Sequence, residues 1–147
     1  MLKADPDGVP DNLDEYDGLL VGRGAYHHIP GRHNRIEFLR DCRNHLVSNA
    51  PVFIDDFHTL PNISVRDKLR TSIARCARWI GGCERRIEVG DQLNAENFFH
   101  RFQAHEIDAE LSAADYELIS VTETPWEGAN LAYAVARVAD QSGNRAS

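Results

Sequence analysis

The sequence predicts an α/β fold in which parallel strands alternate with helices and an antiparallel hairpin closes the sheet. Two short apolar runs, Gly18–Gly22 and Val52–Ile54, do not alternate with polar residues, which is typical of strands buried on both faces. Between them, apolar residues recur at helical spacing from Arg32 to Val47, and this indicates a crossover helix. The last two predicted strands, Tyr116–Glu123 and Leu131–Val138, are too close in sequence for a crossover, so we expect them to pair antiparallel.

The composition is that of one globular domain and argues against several classes of partner. The chain has 147 residues with 16 basic and 23 acidic side chains, and its formal net charge is −7. Because nucleic acids and membrane surfaces attract proteins through a positive field, this charge balance argues against both. No apolar run is long enough to span a bilayer, and the first residues do not have the pattern of a secretory leader.

The cysteines give an expectation about the compartment. There are three of them, Cys42, Cys76 and Cys83, and none forms a C-x-x-C pair. We therefore expect neither a disulfide framework nor a structural zinc site. Reduced thiols of this kind fit a cytoplasmic protein, and we predict that location.

The first predicted helix presents one apolar face to the sheet. Ile36, Leu39 and Leu46 lie on that face, and Arg35, Arg40 and Asp41 are expected on the other faces. The strand that follows is predicted to end at the acidic pair Asp55 and Asp56. These two carboxylates are interpreted as turn residues, with a metal or substrate amine as the alternative partner.

The middle of the chain is predicted to contain a second helix with a basic outer face. Ser64 and Asp67 have the spacing of a capping box, and Gly81–Gly82 ends the apolar stripe. The basic residues between Arg66 and Arg86 are interpreted as a solvated face. The alternatives are contacts with an anionic substrate, with RNA, which the lack of interleaved aromatic residues disfavours, or with the acidic N-terminus of a neighbouring subunit. A small strand at 86–89, an extended segment at 97–102 and a helix at 104–114 with Ile107 and Leu111 inward complete the predicted elements.

The ordered segments resemble a known family of enzymes. They are similar to the C-terminal half of the class I S-adenosylmethionine-dependent methyltransferases, from the fourth strand of that Rossmann-like domain to the seventh. The segments that carry the resemblance are Tyr16–Gly22, Gly24–Ile29, Arg35–Arg43, Ala50–Ile54, Phe99–Phe102, Glu106–Leu111, Tyr116–Leu118 and Ala132–Arg137. The resemblance implies methyl transfer from S-adenosylmethionine to an acceptor that we expect to be a small molecule.

The resemblance also implies that part of the family's cofactor site is missing from this sequence. No G-x-G-x-G occurs in the chain, and Gly22-Arg23-Gly24, the nearest match, stands at the fourth-strand position. We expect residues 1–139 to form a truncated methyltransferase-like domain and residues 140–147 to form a flexible tail. The strand at Gly18–Gly22 would then be an exposed apolar edge, which favours a homo-oligomer or a partner chain that covers it.

Candidate catalytic residues follow this strand directly. The carboxyl ends of strands in open α/β sheets bind ligands, and Tyr26, His27 and His28 come after the first strand. A neutral histidine there can accept a proton from a hydroxyl or an amine as the methyl group arrives. The alternative is that one ring caps the loop and the other is solvated.

Candidate cofactor-binding residues come from the resemblance alone. It implies that Asp5 contacts the adenine and that Gly22, Arg23 and Gly24 line the methionine end of the cofactor. The alternatives are a turn residue beside Pro6 and a surface arginine. The seven histidines lack helical metal-ligand spacing, so we predict no metal and interpret the pair His100 and His105 as surface or loop residues.

Two functions of different classes remain open at this point. One is a methyltransferase, possessing a cofactor site that is incomplete in this chain. The other is a non-catalytic binding or oligomerisation module that is derived from a methyltransferase half-domain. The absent glycine-rich loop favours the second function for the chain in isolation, because that loop lets backbone amides approach the cofactor closely.

Overall fold

The computed structural model describes residues 15–60, 69, 87–93, 98–103, 105–126 and 129–140. The strands and helices have the following bounds, with a 3₁₀ turn at Ala25–His28: β1 Leu19–Val21, α1 Arg32–Arg43, β2 Pro51–Leu60, β3 Asp91–Leu93, β4 Phe98–His100, β5 Phe102–Gln103, α2 Glu106–Ala113, β6 Tyr116–Trp126 and β7 Ala129–Val138.

The main sheet has the order β1-β2-β7-β6 and confirms the predicted α/β class. β1 pairs parallel with β2, as a crossover through α1 requires. β7 lies antiparallel between β2 and β6, so the predicted C-terminal hairpin is present. β5 adds a short parallel pairing to the end of β2, and β3 and β4 form a separate two-stranded hairpin.

β2 is longer than the sequence pattern predicts, and the prediction that Asp55 and Asp56 end it is wrong. The register with β7 shifts between Ile54 and Phe57, which is a bulge that accommodates the acidic pair within the strand. After the bulge the strand resumes, and Phe57 and Thr59 are buried at 0% and 2% exposure.

One face of the sheet forms the core. Ala132, Ala134 and Ala136 of β7 face it beside Val52 and Ile54 of β2, all at 2% exposure or less. They belong to one apolar cluster with side chains from both helices. Ile107 and Leu111 of α2 are buried as predicted, at 1% and 0% exposure.

The opposite face of the sheet carries exposed apolar side chains. Leu20 of β1 stands opposite Phe53 of β2, which in turn stands opposite Val135 of β7. Leu20 is 68% exposed and Tyr133 is 39% exposed, while the rings of Phe53 and Tyr133 lie 5.9 Å apart. Within the described residues β1 is also the outermost strand on its side of the sheet. We call Leu20, Phe53, Tyr133 and Val135 the open face.

The first helix differs from its prediction in length and in one face. It ends at Arg43 rather than Val47. Arg40 and Asp41 are exposed as expected, but Arg35 is 1% exposed, so its predicted outward position is wrong. The reason is a buried acidic partner on α2, described below.

Several predictions fall on residues outside the described ranges. Asp5, the helix predicted between Ser64 and Gly82, and residues 141–147 of the predicted tail are among them. Leu69 is described, and it is helical and 60% exposed. Residues 87–89 of the small strand predicted at 86–89 are described, and they do not form a strand. None of the helices in the described part of the chain combines the length and the hydropathy that a membrane crossing needs.

Candidate functional site

The segment that follows β1 leads from the carboxyl end of this strand to α1 and is hydrogen-bonded to β2. Arg23 and Gly24 both have left-handed backbone conformations, with φ of 58° and 68°, and these reverse the chain into the 3₁₀ turn. The backbone N–H of Arg23 donates to Asp55 Oδ1 over 3.2 Å, while its side chain is exposed. Gly22, Arg23 and Gly24 therefore lie at the carboxyl end of β1, and their contact with a cofactor stays a prediction.

Two adjacent histidines of the 3₁₀ turn face each other at this edge. The Nε2 atoms of His27 and His28 are 3.2 Å apart, and Nδ1 of His28 lies 2.6 Å from the carbonyl oxygen of Phe98. His27 is 7% exposed, whereas His28 is exposed. The turn thus holds one imidazole inside the protein and one at its surface, in direct contact.

The structure adds two aromatic rings that the sequence analysis did not single out. The ring of His58 on β2 lies 5.4 Å from that of His27, and the ring of Phe99 on β4 lies 6.2 Å from both. We call His27, His28, His58 and Phe99 the histidine cluster. The available signal was the position of His58 near the carboxyl end of a strand that neighbours β1, but the prediction ended that strand before it.

Tyr26 belongs to the same turn but points into the core. Its hydroxyl donates to Glu110 Oε2 over 2.7 Å, and its ring stacks on Phe102 with 5.6 Å between centroids. Burial, and then the charge of Glu110, raise the pKa of Tyr26 well above its ordinary value. The phenol therefore stays protonated and anchors the turn that carries the histidines.

Glu110 is the centre of a buried charge network. Arg35 donates to both of its oxygens, with Nη2 2.7 Å from Oε1 and Nε 3.0 Å from Oε2. The same guanidinium reaches Glu88 Oε2 at 2.9 Å and lies 5.2 Å from the centroid of the Phe102 ring. Arg35 and Glu110 are 1% and 0% exposed. Each buried charge is therefore stabilised mainly by the other and not by water.

The electrostatics of Arg35 follow from these partners. Burial lowers the pKa of the Arg35 guanidinium, but the hydrogen bonds and charges of Glu110 and Glu88 outweigh burial and hold it above its ordinary value. Glu88 in turn accepts the backbone N–H of Arg32, at the first turn of α1, over 2.7 Å. A carboxylate at this end of a helix is favoured by the helix dipole.

His100 continues the network toward the β3–β4 hairpin, so its interpretation as a surface or loop histidine is wrong. The ring is 0% exposed, and Nδ1 lies 2.8 Å from Asp91 Oδ1. Nε2 lies 3.5 Å from Glu106 Oε2 on α2. Burial lowers the pKa of His100, but the two carboxylates outweigh burial and raise it above 6.5. Burial raises the pKa of Glu106, but His100 and the N–H groups of Gln103 outweigh burial and hold it below its ordinary value.

This arrangement predicts a pH-dependent stability. A raised folded-state pKa means that His100 contributes its full stabilisation below the unfolded value of about 6.5 and loses it as the pH rises through the folded value. We expect the difference in unfolding free energy between the wild type and His100→Gln to shrink as the pH is raised above about 6.5. Urea titrations from acid to alkaline pH measure this difference. His33→Gln, at an exposed position, is the matched control, and a difference that grows with pH would contradict the prediction.

Glu88, Asp91 and His100 also lie close enough to be examined as metal ligands. One ligand atom of each lies within 4.8 Å of the others. However, both oxygens of Glu88 accept N–H groups from α1, and Asp91 accepts the N–H of Glu88 over 2.7 Å. The Arg35 cation beside them would repel a second cation. In the described residues this cluster therefore fits the role of a clamp on the hairpin better than that of a metal centre.

Gly90 sets the path of the hairpin across the site. Its φ is +107°, and a Cβ at this position would overlap the backbone of Arg101. The Gly90 carbonyl accepts the N–H of Arg101 over 3.0 Å, and this bond extends the β3–β4 pairing by one residue beyond Asp91 and His100. This close approach places Phe98 and Phe99 over the histidines.

Comparison with solved structures identifies the fold. A SAM-dependent methyltransferase from Methanosarcina mazei matches with a TM-score of 0.63 at 14% identity, over 92% of this chain and 65% of that one. The 1,6-didemethyltoxoflavin-N1-methyltransferase of Burkholderia thailandensis matches with a TM-score of 0.59 at 16% identity, over 93% and 49%. An amino pentose methyltransferase from Micromonospora echinaspora matches with a TM-score of 0.54 at 11% identity, over 92% and 63%.

These likenesses are structural. No protein-family model matches the sequence, and no curated protein matches it. The chain spans about half to two thirds of the length of the three structures named above. The described strands and helices nevertheless have the expected order and pairing, which confirms the family resemblance at the level of the fold. The chain has the fold of a class I S-adenosylmethionine-dependent methyltransferase.

Proposed function

We propose that this chain forms the acceptor side of an S-adenosylmethionine-dependent methyltransferase that acts on a small molecule. The histidine cluster carries the proposal, because it sets proton-accepting groups at the carboxyl ends of β1 and β2. Ligands of open α/β sheets bind at this edge. The solved structures with the same fold support the reaction class: one holds 1,6-didemethyltoxoflavin and S-adenosylhomocysteine, and another holds SAM.

In this reaction the protein has to supply few chemical groups of its own. S-adenosylmethionine supplies a methyl group that is already activated by its sulfonium charge. The residues of the chain then have to position the acceptor and, where its nucleophilic atom carries a proton, to remove that proton. His27 and His28 are the proposed bases, and Tyr26 is the proposed positioning residue because its bond to Glu110 fixes the turn on which they lie.

The cofactor would contact the segment that follows β1. Gly22 lies beside Asp55, and a Cβ at Gly22 would stand 3.7 Å from Asp55 Oδ2, which is ordinary contact. A side chain there is thus tolerated by the fold but would occupy the edge on which a ligand lies. Arg23 and Gly24 are proposed to line the same end of the cofactor, and Asp5 is proposed to contact the adenine.

The proposal is tested by calorimetric titration of the chain with S-adenosylmethionine and with S-adenosylhomocysteine. We expect heat of binding to both, and weaker binding by Gly22→Val because its side chain occupies the cofactor's path. Ser112→Ala, at an exposed position on α2, is the control and should bind as the wild type does. No heat at millimolar ligand would contradict the proposal, since that concentration already detects binding of only about 4 kcal/mol.

A second candidate function is a non-catalytic binding or oligomerisation module. The open face favours it, since Leu20 and Tyr133 are apolar and exposed and β1 is outermost among the described strands. A homo-oligomer or a partner chain would cover β1. A chain that binds neither nucleoside in the calorimeter but sediments as an oligomer would fit this function. A cytoplasmic location stays a prediction under both functions.

A further inference from the structure

We propose that His27 and His28 share one proton and act as a relay that carries protons between the interior of the site and solvent. The use of the relay in methyl transfer rests on the proposed function, while the shared proton itself does not. His28 makes two contacts that matter here, one to a carbonyl oxygen and one to the neighbouring imidazole.

The first contact fixes which nitrogen of His28 carries hydrogen. Nδ1 of His28 lies 2.6 Å from the carbonyl oxygen of Phe98. A carbonyl oxygen only accepts hydrogen bonds, so Nδ1 must be the donor. A neutral His28 then has its lone pair on Nε2, which is the nitrogen that faces His27.

The second contact extends this assignment to His27. Its Nε2 lies 3.2 Å from Nε2 of His28, a distance suited to an N–H···N hydrogen bond. Because His28 offers a lone pair there, Nε2 of His27 must carry the hydrogen and donate it. When the pair gains one proton, that proton can move along the same bond to His28, whose Nδ1–H stays directed at Phe98.

The direction of transfer follows from burial. His27 is 7% exposed and His28 is exposed, so a charge that forms on the inner ring is solvated better once it has moved to the outer one. The titratable or charged groups on the surrounding described elements include His58 and Asp55 on β2, His100 on β4 with Arg101 next to it, and Tyr26 on the same turn. Tyr26 and His100 are bonded to Glu110 and Asp91 respectively, and the Arg101 guanidinium lies 5.6 Å from the centroid of the Phe99 ring.

The relay specifies the class of acceptor that the site would methylate. An O–H or N–H nucleophile forms a bond to the methyl carbon while the carbon–sulfur bond breaks and its electron pair returns to sulfur. The sulfonium becomes a neutral thioether, and one proton is released from the nucleophile. His27 takes up that proton on Nδ1, the hydrogen on its Nε2 moves to Nε2 of His28, and the exposed His28 ring then loses this proton to solvent.

The test is nuclear magnetic resonance of the ¹⁵N-labelled chain without any ligand, in alkaline buffer. We expect His28 to carry hydrogen on Nδ1 and His27 on Nε2, with a scalar coupling between the two Nε2 nitrogens across the hydrogen bond. A His28 ring with hydrogen on Nε2, or the lack of that coupling, would overturn the proposal. The exposed His33 ring serves as the internal control.

Exchange of the ring proton with solvent tests the relay itself. His28→Gln can still accept a hydrogen bond from His27 but cannot pass a proton on, so exchange of the His27 ring N–H should slow by about tenfold or more. The variant is compared with His33→Gln at equal thermal stability, and an exchange rate within twofold of the wild type would refute the relay. Neither measurement needs a nucleoside or an acceptor, so a failed calorimetric titration would count against the proposed function and leave this test standing.

Discussion

Replacing Glu110 by alanine is expected to lower the free energy of unfolding by about 3–5 kcal/mol. The substitution leaves the Arg35 guanidinium buried at 1% exposure, with Glu88 as its remaining acidic partner and the carbonyl oxygen of Ile29 at 3.4 Å. It also removes the acceptor of the Tyr26 hydroxyl. Urea denaturation followed by circular dichroism measures the loss.

Two further variants make the origin of this loss clear. The double replacement Arg35→Met with Glu110→Leu removes both charges, and it should recover most of the stability because no charge is left buried. The pair Arg137 and Glu117 is the control, since its atoms are also 2.7 Å apart but its side chains are 46% and 54% exposed. Glu117→Ala should cost about 1 kcal/mol or less. Equal losses at Glu110 and Glu117 would show that burial does not decide the effect.

Phe102→Ala should destabilise the chain by a similar amount, about 3–5 kcal/mol. Phe102 is 0% exposed, and its ring lies against three other rings, with centroid distances of 5.6 Å to Tyr26, 5.5 Å to Phe57 and 4.8 Å to His100. Truncation leaves a cavity between them and removes the aromatic face beside Arg35. Thermal and urea unfolding measure the effect.

The matched variants for Phe102 separate volume from aromatic character. Phe102→Leu keeps most of the buried volume and should cost clearly less than the alanine variant. Tyr133→Ala, on the open face at 39% exposure, should change the stability least of the three. If Tyr133→Ala were the most damaging, the core would lie on the other face of the sheet.

The sequence was sufficient for most of the fold because local patterns specify most of its elements. The apolar run at β1, the helical spacing in α1 and the short connection between β6 and β7 are each visible within a stretch of neighbouring residues. β2 was cut short because a bulge allows Asp55 to lie inside a strand, and a polar pair is normally a sign of a turn.

The candidate site could be predicted only where it is local in sequence. His27 and His28 are adjacent and follow a strand, so their position at the sheet edge was foreseeable. Arg35 and Glu110 are 75 residues apart, and each looks like an ordinary surface charge on its own helix. His100 was missed for the same reason, because Asp91 reaches it through a hairpin whose path depends on the backbone at Gly90.

The position of β2 in the sheet has a consequence for how the chain folds. It pairs with β1, which lies before it, and with β5 and β7, whose partner residues lie about 40 to 90 positions after it. Such distant pairings close large loops and are slow to form. During synthesis, β1, α1 and β2 leave the ribosome well before β7. Until β7 has been made, the edge of β2 that pairs with it is uncovered. This interval is when the chain is most exposed to aggregation and when a chaperone would have the greatest effect on its yield.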